Sequence, residues 1–182
     1  MRISNIITES ENQMVLYHGG HKDLAMTFRD MAGNKKGSFE HGTGLYLTPS
    51  ESMAAKYAKG GNAMFRVTVE LERPMEDVTV TEEEVDDYIT TFVPTKLRKE
   101  FREYALRRAK DGTIRIQTLM NLTVNYEIPA SRTAKIRQWF VDHGVGYDVV
   151  TNYGGWGVDK GTVYIIYDPK LIKKVERKNA SR

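Results

Sequence analysis

The chain contains no cysteine. Disulfides and thiolate metal sites are therefore excluded, and no metal is expected; the absence fits a reducing cytoplasm. No run of about 18 apolar residues occurs, so no membrane span is expected. The opening stretch MRISNIITESENQ lacks the basic-then-apolar pattern of a secretion signal. Internal repeats and low-complexity tracts are also missing. Neither sign of charge is in large excess, with 27 basic against 24 acidic residues. The net charge is +3 and the pI about 9.0, which permits contact with nucleic acid without arguing for it. The expected localisation is cytoplasmic, including that of a bacterial host, and a toxin domain delivered by another system would have the same composition.

What is present is ordinary for one globular domain with a sizeable core: 182 residues, 40% hydrophobic and 28% charged. The organising stretch is TGLYLTPSESMAAKYAKGG, Thr43 to Gly61. Leu45 to Leu47 reads as a short strand. Thr48 is placed to cap a helix, with Pro49 at its first position and Glu51 at the spacing of a capping box. That helix would carry Met53, Ala54, Tyr57 and Ala58 on one side, and Gly60-Gly61 would end it. Upstream, Met14 to Tyr17 reads as a core strand running into His18, Gly19 and Gly20. Taken alone, Tyr46 and Tyr57 read as core aromatics, His18 as a structural histidine and the glycines as a turn.

Residues 1–12 read as a polar arm, and 22–42 as a short helix and a mobile loop. AMFRVTVEL, Ala63 to Leu71, alternates as a half-buried strand that Pro74 stops. Residues 75–140 turn helical. Thr81 caps EEEVDDY, and Pro94-Thr95 opens a helix whose apolar face is Leu97, Phe101 and Tyr104, ended by Gly112. Ile114 to Tyr126 fits no single type. Ala130 to His143 is a helix with Ile136, Trp139 and Phe140 inward. Tyr147 to Thr151 is a strand, Asn152 to Gly161 a loop bearing Tyr153 and Trp156, Thr162 to Tyr167 a central strand, and Leu171 to Glu176 an edge strand. Residues 95–115 hold eight basic and three acidic side chains, whereas 70–87 hold one basic and nine acidic. These are either two solvated faces that pair or a basic surface for nucleic acid.

Tyr17-His18-Gly19, then Gly44-Leu45-Tyr46-Leu47, then Tyr57, in that order and spacing, resembles the histidine–tyrosine class of ADP-ribosyltransferases. That class includes diphtheria toxin and the poly(ADP-ribose) polymerases. The likeness is greatest to the small transferase domains of phage and mobile-element polyvalent proteins. It implies an α+β fold with a split β-sheet core, here about 13–74 and 144–177. Residues about 75–143, which the resemblance does not cover, would be a helical insertion. It also implies NAD as the substrate and a macromolecular acceptor, either protein or nucleic acid. The basic segment 96–115 is a candidate contact for the latter, and the protein would act as a phage effector or toxin.

By this resemblance His18 would bond the adenine-side ribose, and the Gly19 backbone would hold the nicotinamide amide. Tyr57 would stack on the nicotinamide ring and Tyr46 would line the opposite wall, since an aromatic face suits a flat cationic ring. Two positions depart from the pattern. Ala54 stands where the polymerases have a serine that bonds the amide. Val163 stands where the family's catalytic glutamate opens the strand before a pattern like EYIVYD. Val163 argues against chain elongation and leaves transfer of a single unit. Asp159 or Glu127 are the carboxylates that could substitute. The alternatives are an inactive NAD-binding module and an RNA 2′-phosphotransferase, which shares the fold and NAD.

Overall fold

The computed structural model describes residues 12–20, 44–58, 63–128, 132–153 and 160–178. The expectations for the N-terminal arm, the 22–42 loop, Gly60-Gly61, Trp156, Asp159 and the last residues of the chain lie outside them.

Two three-stranded antiparallel sheets form the core. The first has β1 (Gln13–Gly20), β3 (Ala63–Glu70) and β8 (Ile172–Lys178) in the order β1-β3-β8. The second has β2 (Leu45–Leu47), β7 (Gly161–Ile166) and β6 (Tyr147–Tyr153) in the order β2-β7-β6. Strand periodicity divides the core between them. On β7, Ile166 turns toward the first sheet and packs with Leu16, Leu45, Leu47 and Val67. Val163, Ile165 and Tyr167 turn the other way and pack with the helices. Both faces of β7 are covered, as its near-continuous apolar run predicts. β8 is an edge strand carrying exposed charge, with Lys173 paired to Glu70 at 2.8 Å and Glu176 to Arg66 at 2.7 Å.

Helix α1 (Glu51–Tyr57) lies on the outer face of the first sheet, against Tyr17 and Met64. Its cap is Ser50, whose Oγ accepts from the Met53 amide at 3.2 Å, and not the expected Thr48. Thr48 is taken by strand pairing with Tyr17, which holds its backbone extended one turn short of the helix. Its hydroxyl instead accepts from the Ser50 amide.

The helical layer consists of α2 (Glu82–Phe92), α3 (Arg98–Leu106), α4 (Ile116–Asn125) and α5 (Thr133–Asp142). Thr81 caps α2 as expected, and Glu84 bonds back to the Thr81 amide to complete a capping box. The segment that fitted no single type is two elements. β5 (Thr113–Arg115) pairs with β4 (Thr79–Thr81), and α4 follows at once. α3 ends at Leu106 rather than at Gly112, which instead supplies a positive φ (74°) in the turn before β5. Tyr88 is the hub of the layer. It is fully buried, with Trp139 at 4.8 Å, Phe92 at 5.0 Å and Phe140 at 5.9 Å between ring centroids. Its hydroxyl bonds Thr123 at 2.5 Å, and burial pushes its pKa well above the ordinary value. Tyr104, expected inward, is 44% exposed; the buried α3 residues are Phe101 and Ala105, four apart.

Candidate active site

The two sheets meet at one backbone bridge. The Tyr17 amide donates to the Thr48 carbonyl at 2.7 Å, and the Thr48 amide to the Tyr17 carbonyl at 2.9 Å. Beyond this point β1 and β2 diverge, and the His18 ring fills the opening. Its Nδ1 lies 2.9 Å from the Tyr46 carbonyl oxygen. A carbonyl only accepts, so Nδ1 carries the hydrogen. Burial holds the His18 pKa below its usual 6.5, against the opposing effect of this hydrogen bond. The ring is therefore neutral near pH 7, and Nε2 keeps its lone pair. Nε2 sits beside Gly20, where a side chain would press on it.

Gly19 follows. A Cβ there would overlap the Ala54 carbonyl oxygen, so glycine at 19 is what lets α1 close onto β1. The backbone of β1 alternates in direction, with one residue's amide and carbonyl turned to one edge and the next residue's to the other. Tyr17 turns both groups toward β2. Gly19 turns both to the same edge, past the bridge, where β2 has moved away.

The opening leads to a cavity of about 140 Å³. His18, Gly19, Tyr46, Ala54, Tyr57 and Val163, the six residues named from the sequence, all line it. They arrive from β1, β2, α1 and β7. Tyr46 lies opposite Ile165 in register, and this places its ring on the helical side of the second sheet. Tyr57, at the end of α1, remains 40% exposed with its ring at the mouth. Val163 is 3% exposed and Ala54 1%. Glu127 is an exposed turn residue after α4 and is not on the wall. Among the described residues no carboxylate, lysine or arginine lines the cavity. The described residues also hold no cluster of metal-ligating side chains.

Tyr153 also lines the cavity, its ring 5.8 Å from that of Tyr46. Strict alternation from Asp148 and Val150, which face the helices, would turn residue 152 inward and Tyr153 away. Instead β6 carries a register shift between Val150 and Tyr153, and Asn152 adopts φ +58°. This bulge re-aims Tyr153 onto the wall. An asparagine, which tolerates the left-handed region, set between Thr151 and Tyr153 was the signal available in the sequence.

No curated protein matches the sequence. A solved structure described as the crystal structure of an anti-CRISPR protein is similar at 13% identity and a TM-score of 0.41, covering 92% of this chain and 97% of its own. A family model described as ADP-ribosyltransferase in polyvalent proteins matches residues 11–182. That match spans both sheets, the helical layer and every residue named on the cavity wall: the chain belongs to the ADP-ribosyltransferase family found in polyvalent proteins.

Proposed function

We propose that the protein transfers a single ADP-ribose unit from NAD to a macromolecular acceptor, as a phage effector or toxin acting in a bacterial cytoplasm. Membership of the family supports ADP-ribosyl transfer in general. The observation that carries the finer reading is a neutral His18 beside a tyrosine-walled cavity at the divergence of β1 and β2. In this reading residues 13–74 and 144–177 are the transferase core, and 75–143 is an insertion.

The wall suits the nicotinamide end of NAD. A volume of about 140 Å³ is well below the roughly 300 Å³ at which pockets begin to enclose a drug-sized ligand. It takes one flat ring and little more. Nε2 of His18 accepts a hydrogen bond from a ribose hydroxyl. The Gly19 amide and carbonyl, a donor and an acceptor on one strand edge, match the carboxamide, which has one of each. Ala54 cannot bond that amide, so the backbone does. Tyr57 stacks on the ring and Tyr46 bounds the far side. Transfer breaks the bond between the ribose C1′ and the nicotinamide nitrogen, whose electron pair leaves with a neutral nicotinamide. The acceptor forms the new bond at C1′ and gives up its proton. Holding ring and ribose in fixed geometry is the contribution left to a wall without charge.

Incubation of the protein with NAD and a bacterial lysate should release nicotinamide and add mass to an acceptor. His18→Ala should abolish both. Release by neither protein would end the proposal. A second reading, NAD binding without turnover, is favoured by Val163 and by the lack of a carboxylate on the described wall. Val163→Glu separates the two. A rise in NAD hydrolysis means that the parent lacks a carboxylate it needs. A fall means that a carboxylate from outside the described wall, Asp159 being the candidate, already serves and the new charge repels it. No change means that Val163 does not occupy the glutamate's place.

A further inference from the structure

A second depression lies on the helical layer and shares no residue with the cavity wall. α3 and α4 run antiparallel. Glu100, near the start of α3, bonds Tyr126, just past the end of α4, and Arg108, just past α3, lines the same depression as Thr118, near the start of α4. Thr118, Asn121, Leu122 and Asn125 repeat at helical spacing and form one wall. Glu100, Tyr104 and Arg108, each four residues apart, form the other. The space between them is about 550 Å³. It continues past Arg108 and Thr118 into a hollow of about 400 Å³ bounded by Lys110, Asp111 and Arg115.

Charge and rings are sorted along this groove. Tyr104 and Tyr126 lie at one end with centroids 6.5 Å apart, and the Arg107 guanidinium sits 5.0 Å from the centre of the Tyr104 ring. Glu100 is taken by the Tyr126 hydroxyl, whose pKa is pushed up to about 12 by burial first and by that carboxylate second. At the other end, Arg108, Lys110 and Arg115 have no ion-pair partner among the described residues. The other α3 arginines are tied down. Arg102 forms a bidentate pair with Asp86, and Arg98 bonds the carbonyls of Thr90 and Val93 at the end of α2.

We propose that this groove binds single-stranded nucleic acid. The three cations neutralise phosphates. The Tyr104 face stacks a base, which only an unpaired strand can offer. Asn121 and Asn125 present amide donors and acceptors to base edges. As the docking surface for the acceptor the groove rests on the transfer reading above; as a binding surface it does not.

The test uses the full chain without NAD and a fluorescein-labelled single strand of about ten nucleotides. Anisotropy is read from about 50 to about 200 mM salt. Three phosphate contacts predict a slope of log affinity against log salt of about −2. Arg108→Ala should make that slope shallower by about 0.7. Tyr104→Ala should weaken binding roughly tenfold at unchanged slope, while Tyr104→Phe binds as the parent does. Three results would each overturn the proposal: no binding, equal binding of duplex or polyglutamate, or full affinity in Tyr104→Ala. Nicotinamide release without acceptor reads the transfer proposal separately. Its loss with intact binding removes that reading alone, and intact release without binding removes this one alone.

Discussion

The cavity at the strand divergence and the groove on the helical layer are both lined by tyrosines, yet they differ in charge. The cavity wall has neutral His18 as its basic group and no lysine, arginine or carboxylate among its described residues. The groove has two aromatic rings and three cations without an ion-pair partner among the described residues. A site of the first kind holds a ligand by shape, stacking and backbone hydrogen bonds, and salt affects it little. A site of the second kind draws its ligand by counterion release and weakens steeply with salt. The same residue type therefore suits two chemistries, and its neighbours decide which.

The strongest way to break this comparison is to dissolve one region and ask whether the other survives. Tyr88→Ala empties the hub of the helical layer and should cost about 3–5 kcal/mol of stability, read by denaturant unfolding. If NAD affinity at a permissive temperature falls with it, the two regions are one cooperative unit. Gly19→Ala attacks the other side. The new methyl must push α1 off β1, which should cost about 1–3 kcal/mol and lower kcat/KM on the order of 100-fold through misplaced Tyr57. Unchanged kinetics would show that α1 does not set the geometry of the site.

Tyr57→Ala should weaken NAD binding by about 1–3 kcal/mol through lost stacking and burial. Calorimetry at two salt concentrations should give nearly the same loss. A strongly salt-dependent loss would mean that charge from outside the described wall contributes. His18 sharpens the contrast through pH. Its folded-state pKa lies below the unfolded value near 6.5, so the unfolded chain binds more protons as pH falls through that range. Stability from this residue is full above about pH 6.5 and declines below it. Protonation also removes the Nε2 acceptor, so NAD affinity should drop on the same acid limb. An NMR titration placing the His18 pKa above 6.5 would refute the assignment. The smallest effect is expected from Arg102→Ala, which breaks an exposed pair with Asp86 and should leave both the melting temperature and the salt slope unchanged within error.

Much of the site was legible because its parts are short-range. YHG on a strand, GLYL on a strand and a tyrosine on the next helix are each read from local pattern, and their elements turned out to be β1, β2 and α1. The alternation in β3 predicted which side chains share a face, since strand period is a property of the backbone, and the apolar run of β7 predicted that both its faces are covered. The cap at Thr81 was equally local. Tyr153 was not legible, because one residue of bulge reverses the face on which every later side chain falls. Nor was the fate of the basic segment. Arg98, Arg102 and Arg108 are alike in sequence, and only the position of α2 ties up the first two and leaves the third on the groove.

The sequence, through the resemblance its motifs carry, pointed to an α+β chain with a split sheet and a helical segment, and to six residues that share one wall. Its helices and strands follow from backbone period and capping chemistry, which act within a few residues, whereas the shared wall was implied by the resemblance that the motif order carries. The tertiary structure decided that Ser50 rather than Thr48 caps α1, because Tyr17, thirty-one positions away from Thr48, claims that backbone for the sheet. It also decided the tautomer of His18. Tyr46, twenty-eight residues distant, offers only a carbonyl to Nδ1, and burial removes the second proton. A lone pair left on Nε2 is a consequence of what two separate strands do where they part, and no local pattern contains it.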